Sequence, residues 1–186
     1  MTSDLETYFF HDFETGGYEG TSLLSYYACI TDESFNVLDS IECYFRPEDG
    51  IYKVEAQALA VNKINLVQHD KKAALISAWL PKIEKFVDRW RGTSHKLYIV
   101  GHNVNFDNKH LEGIIGPKLF RRVFHRHVLD TGTLAVLLKI QKKLPENFEI
   151  SLGNLADHFG VGPEERHEAK ADVETTIALL QRMLAC

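Results

Sequence analysis

The stretch Thr7–Thr15, TYFFHDFET, decides how this chain is read. Its first six residues, Thr7–Asp12, are dominated by aromatic and β-branched side chains and predict a strand. Asp12 and Glu14 stand two residues apart at its end, and the alternation of a strand puts both carboxylates on one face. Working outward, Leu23–Thr31 (LLSYYACIT) and Val37–Phe45 (VLDSIECYF) have the same character, with the acidic, Asn-containing turn TDESFN between them. Three such segments in close succession predict an antiparallel meander.

Past Phe45 the period changes. From Lys71 to Trp90, Leu75, Ala78, Trp79, Ile83, Phe86, Val87 and Trp90 recur at steps of three and four, which predicts an amphipathic helix. Trp79 and Trp90 lie on that stripe and are read as core, not as base-stacking platforms. Leu97–Val100 (LYIV), bounded by Gly101, suits a buried strand, and a helix is expected after it. His127–Asp130 is read as another short strand, and Thr131–Lys139, Ser151–Phe159 and Ala169–Leu184 as helices, with Ser151 as N-cap and Gly160 as stop. The order predicts an α/β fold: a mixed sheet of three antiparallel strands and then parallel strands, flanked by helices. No repeat, low-complexity run or linker breaks the 186 residues, and 45% hydrophobic content suffices for one domain over 1–186.

Cys29, Cys43 and Cys186 are far apart and in no CxxC pair, so neither a zinc site nor a disulfide framework is expected. The acidic start MTSDLETYFFHDFE lacks a leader-like apolar segment, and no apolar run approaches membrane-spanning length. A cytoplasmic location without membrane attachment is expected. A net charge of −5 gives no direct sign of nucleic-acid binding, yet it does not exclude it. Cations held by clustered acids reverse the local potential, and a small basic patch can hold a phosphate backbone. GGYEG is followed by no Lys-Ser or Lys-Thr, which removes an NTPase reading.

Two further islands complete the chemistry begun by Asp12 and Glu14. Asp107, in GHNVNFD, falls just beyond the LYIV strand, where α/β folds collect functional groups. Alone, it is equally a helix N-terminal acid facing the dipole. His167 and Asp172, in RHEAKADVETT, fall at the start of the last helix, whose apolar face is Val173, Ile177 and Leu180. One histidine among nine carries little weight by itself. Four carboxylates and a histidine at element boundaries can together hold two divalent cations and accept a proton, the equipment of metal-assisted phosphodiester hydrolysis. KLFRRVFHRH, with Lys118, Arg121, Arg122 and Arg126, is the densest basic patch; phosphate contact upstream of a cut and a solvated helix face are both open for it. Lys139, Lys142 and Lys143 read as ordinary surface.

The pattern DxE, HNxxFD and HxxxxD resembles the DEDDh exonucleases of the DnaQ-like, ribonuclease H-like superfamily. The resemblance covers nearly the whole chain and takes in VLDTGTLA and SLGNLADHFGV. FHDFET, TDESFNVL, FRPEDG and HEAKADVETTIALL are most similar to the nuclease domain of the exonuclease I branch. The extra domains that follow that nuclease domain are not expected here, nor is a polymerase-binding tail.

The resemblance implies a 3′ to 5′ exonuclease that takes single-stranded DNA or RNA with a free 3′ end, DNA favoured over RNA, and releases nucleoside 5′-monophosphates. It implies two Mg²⁺ or Mn²⁺ ions, with Asp12 shared, Glu14 and Asp172 on one ion and Asp107 on the other, and His167 as proton acceptor. It makes Phe13, Thr15 and Gly16 candidates for contact with the terminal 3′ hydroxyl, Val61 and Asn62 of QALAVNKI for contact with the terminal base, and Asn103 a further substrate contact. Gln57 stands where the family often has Glu, a departure at the 3′ hydroxyl that leaves the metals untouched. The rival readings are a proofreading subunit with a polymerase partner and a catalytically silent nucleic-acid-binding module; a homodimer is a further option. The silent module would be expected to lack a metal carboxylate, and all four are present.

Overall fold

The structure, a computed structural model, describes residues 7–91, 96–162 and 168–186. The first three strands are β1 (Tyr8–Thr15), β2 (Leu23–Thr31) and β3 (Val37–Arg46). Then come α1 (Ala56–Asn62), α2 (Leu66–Lys72), the two-residue β4 (Ala74–Leu75) and α3 (Ile76–Trp90). The rest is β5 (Leu97–Gly101), α4 (Asn105–Ile115), α5 (Pro117–Val123), β6 (Phe124–Asp130), α6 (Thr131–Ile140), α7 (Leu152–Phe159) and α8 (Ala169–Leu184).

The strands form one mixed sheet in the order β4-β3-β2-β1-β5-β6. β1 to β3 are the expected antiparallel meander, and β5 and β6 add in parallel to the other side of β1. β1 is central because it has something to bury on both faces. Phe9 and Phe13 enter a cluster with Ile83, Phe86 and Val87 of α3 and Leu111 of α4. Phe10, pointing the other way, packs with Ala169, Val173, Ile177 and Leu180 of α8. The alternation that separates Phe9 from Phe10 also sends Asp12 and Glu14 to the α8 side.

The expected helix over 71–90 is divided in the structure. Ala74 and Leu75 pair in parallel with Phe45 and Arg46 of β3, so the long helix begins only at Ile76. α1 and α2, seven residues each, are too short to show a period, although Asn65 caps α2 through its side chain, accepting from the amides of Val67 and Gln68. β6 begins three residues earlier than the expected 127. The tryptophans are core-side as expected, their indole N–H groups donating to the Tyr44 carbonyl at 3.0 Å and the Asp39 carboxylate at 2.7 Å. Cys29 and Cys43 are buried on opposite faces of the sheet.

Candidate active site

Three of the predicted acids meet where β1 ends and α8 begins. Each of Asp12, Glu14 and Asp172 offers a carboxylate oxygen within 4.8 Å of the others, and all three are half-buried. Asp12 and Glu14 come from alternate positions of β1; Asp172 comes from the first turn of α8. The helix turns Val173, Ile177 and Leu180 into the sheet, which brings Asp172 over the strand end.

Asp107 is the fourth acid, and it is held differently. It lies in the first turn of α4, is only 4% exposed, and its Oδ1 accepts the backbone N–H of Phe13 at 3.0 Å. Phe13 stands between Asp12 and Glu14, so Asp107 is tied to the backbone of the DxE motif at the edge of β1, beyond the Tyr8–Phe10 pairing with β5. One residue further along α4, Asn108 Oδ1 lies 3.1 Å from Nε2 of His11, a second tie between the same two elements.

The electrostatics follow from this crowding. Burial pushes the Asp12 carboxyl well above the usual carboxylate range, and the charges of Asp107, Glu14 and Asp172 push it further. Glu14 is pushed up to about 8 by burial and then by Asp172, Asp107 and Glu168. Burial raises Asp107 to about 7, against the opposing pull of the Phe13 N–H bond. Like charges this close stay ionised together only when a cation sits among them. The donor set is all oxygen, which fits hard divalent cations such as Mg²⁺ or Mn²⁺ better than a Cys- or His-seeking metal.

The predicted substrate contacts divide into groups. Phe13 has its ring buried on Tyr26, 4.2 Å between centroids, and its N–H given to Asp107. Thr15 ends β1 after a bulge between it and Glu14, and Gly16 follows; an added Cβ at Gly16 would stand 2.5 Å from the Lys53 carbonyl oxygen, so only glycine allows this close approach. Asn62 is buried and donates to the Thr15 carbonyl at 3.1 Å, fastening the end of α1 to the end of β1. Val61 beside it is 55% exposed, and Gln57 is exposed on the first turn of α1. Asn103 adopts φ 53° ahead of α4, its side-chain oxygen beside Gly132. A cleft of about 310 Å³ adjoins the acids, with Glu14, Tyr44, Asn62, Gln68, Lys72 and Glu168 among its walls. His167 lies outside the described residues.

Two contributors went unnoticed in the sequence. Exposed Glu168 adds a fifth negative charge near Glu14. Asp130 accepts from the Val104 N–H at 2.8 Å and the Thr133 N–H at 2.9 Å, joining the start of α4, which carries Asp107, to the start of α6. Its place at the strand-to-helix junction in VLDTGT was the available signal.

This geometry can be set beside known proteins. The exonuclease family model RNase_T matches residues 4–180. The chain belongs to this exonuclease family. No curated protein sequence matches it. Among solved structures, E. coli exonuclease I in complex with a 5cy-dT13 oligonucleotide superposes at a TM-score of 0.74 with 23% identity over 98% of this chain and 41% of that one. The zinc-bound form of the E. coli exonuclease I–single-stranded DNA complex gives 0.76 with 23% identity over 96% and 40%. A moderately thermophilic exonuclease I from Methylocaldum szegediense gives 0.71 with 18% identity over 96% and 40%. This exonuclease-family chain therefore has the exonuclease I, ribonuclease H-like fold, and it spans about two-fifths of the length of those proteins.

Proposed function

We propose that the chain is a divalent-metal-dependent 3′ to 5′ exonuclease that removes nucleoside 5′-monophosphates from single-stranded nucleic acid, DNA in preference to RNA. The observation that carries this reading is the meeting of Asp12, Glu14 and Asp172 at the end of the central strand of an exonuclease-family fold, with Asp107 fastened to the Phe13 amide between the first two. The single-strand and DNA preference draws on the likeness to exonuclease I, whose structures include complexes with dT13 and dA16 oligonucleotides.

Asp12, Glu14 and Asp172 would hold the metal, with Asp107 serving a second ion. Two bound divalent cations would supply an activated water and neutralise charge on the leaving 3′ oxygen. The protein does the rest. The Asp107–Phe13 bond keeps the two β1 carboxylates in register with α4, and the apolar seam under α8 fixes Asp172 above them. His167, five positions before Asp172, would accept the proton of the attacking water. The cleft beside Glu14, in the size range of small-ligand sites, gives the terminal nucleotide a place next to Asn62, whose neighbour Val61 is exposed. Gly16 lets the Lys53–Val54 backbone pack against the end of β1, which shapes the floor beneath the 3′ end.

The test is digestion of 3′- and 5′-labelled single-stranded DNA and RNA with Mg²⁺ or Mn²⁺. Stepwise release of mononucleotides from the 3′ end, stopped by EDTA and by His167→Ala, is expected. Cleavage within the strand, or from the 5′ end, would overturn the direction; no cleavage of either polymer would favour the silent module.

A further inference from the structure

The far end of β5 and β6 carries a second feature that the hydrolytic site does not use. Tyr98, His125 and His127 form a continuous row of rings, with 4.5 Å between the centroids of Tyr98 and His125 and 5.1 Å between those of His125 and His127. Their planes are tilted by only 35° and 36°. Tyr98 is 38% exposed, and Arg126 and His127 are exposed as well. Aromatic side chains of a sheet usually bury themselves under a helix; these lie on the edge strand and its neighbour and remain in contact with solvent.

Charge singles out the same place. No Asp or Glu occurs between Glu112 and Asp130, a stretch that holds Lys118, Arg121, Arg122 and Arg126 in a chain of net charge −5. Arg122 is spent on Asp88, 3.0 Å away. Arg126 instead lies along the row, its Nε donating to Nε2 of His127 at 3.2 Å. Lys96, two residues before Tyr98, is held on the Arg121 carbonyl at 2.6 Å, while Arg121 turns its own Nε back to the Pro117 carbonyl at 3.1 Å, which leaves Arg126 as the cation on the row. A row of exposed rings with an arginine laid against it, on a stretch free of acids, matches stackable bases joined by phosphates.

Position separates this surface from the hydrolytic acids. Tyr98 pairs with Tyr8, and Asp12 stands four residues further along β1. At the rise of a strand that is about 13 Å up the sheet.

From these observations we infer that Tyr98, His125, Arg126 and His127 form a stacking platform for single-stranded nucleic acid, a holding site remote from the cut and reached only by strands longer than a dinucleotide. This rests on the nuclease reading above. Stacking and phosphate contacts do not read the sugar, so DNA and RNA are held alike, whereas paired bases in a duplex have no free faces to offer.

The experiment uses the full chain in two variants, Tyr98→Ala/His127→Ala and Arg126→Ala, with a dinucleotide, a strand of about 16 nucleotides and a blunt duplex. Affinity is read in EDTA and hydrolysis with Mn²⁺. Both variants are expected to bind the long strand about ten-fold more weakly, as DNA and as RNA, while hydrolysing the dinucleotide at the wild-type rate. Unchanged affinity for the long strand in both variants would overturn the platform. So would equal losses on long strand and duplex, or a parallel loss of dinucleotide hydrolysis, since those assign the effect to charge alone or to the fold. Failure of the wild-type protein to cleave any of the strands would instead defeat the nuclease reading, and the binding arm still judges the platform by itself.

Discussion

At the scale of single residues, the site is a group of acids kept close against their mutual repulsion. Asp107 has two jobs that substitution can separate. Its Oδ1 accepts the Phe13 N–H, and its charge raises Asp12. An amide oxygen accepts the same bond, so Asp107→Asn keeps the tie and removes the charge. We expect that variant to keep or slightly raise its thermal midpoint in EDTA while hydrolysis falls by about 10²-fold or more. Asp107→Ala leaves the buried Phe13 N–H without its acceptor, a cost of about 1–3 kcal/mol that a denaturant titration of both variants would reveal. The carboxylates themselves were legible in the sequence because strand alternation and element boundaries are local facts. The Asp107–Phe13 bond was not, since it depends on how α4 packs against a strand 94 residues away. Glu168, an exposed acid beside a histidine, has no distinctive pattern in the sequence.

At the scale of elements, the sequence read well wherever a period had room to repeat. β2, β3 and α8 fall on the expected spans because alternation or helical recurrence continues through them. Apolar spacing predicts a helix from Lys71, and only pairing with β3 turns Ala74 and Leu75 into strand, so the long helix starts at Ile76. Short α1 and α2 leave no period to find, yet α1 brings Asn62 to the Thr15 carbonyl at the end of β1. Asp130 is the element-scale hinge of the site, since one carboxylate satisfies the amides at the starts of both α4 and α6. Asp130→Ala is expected to cost about 2 kcal/mol of stability, the worth of a helix cap and a buried bond together. Activity should fall with it, because the first turn of α4 holds Asp107; Asp130→Asn, which can still accept both bonds, should recover most of the stability. Chemical denaturation and rate measurements on the same pair check this.

At the scale of the whole molecule, the raised acids link stability to pH and to metal. Glu14 titrates near 8 in the fold against an ordinary 4.5, and Asp107 near 7 against 3.8. The folded state therefore holds protons that the unfolded chain has released, and stability is present at low pH and lost as pH rises through the folded values. Burial lowers His11 to about 3 and also lowers His69 and His102, and these groups pull the other way below about pH 6.5. In EDTA the thermal midpoint should therefore fall from about pH 6.5 to pH 8 on account of the acids. A divalent cation needs the same carboxylates ionised, so its stabilising effect should grow over that range. Melting curves at several pH values with EDTA, Mg²⁺ and Mn²⁺ check both slopes; a midpoint raised equally by metal at about pH 6.5 and pH 8 would contradict them.

The central claim is that Asp12, Glu14 and Asp172 hold the metal with which this exonuclease-family chain cleaves phosphodiesters. The most direct test is to measure Mn²⁺ binding by calorimetry and hydrolysis of a 3′-labelled single strand, side by side, in the wild-type protein and in Asp12→Ala. The account predicts that the wild-type protein binds Mn²⁺ and releases mononucleotides, while the variant, folded by circular dichroism, does neither. Full hydrolysis by the folded Asp12→Ala protein would contradict it.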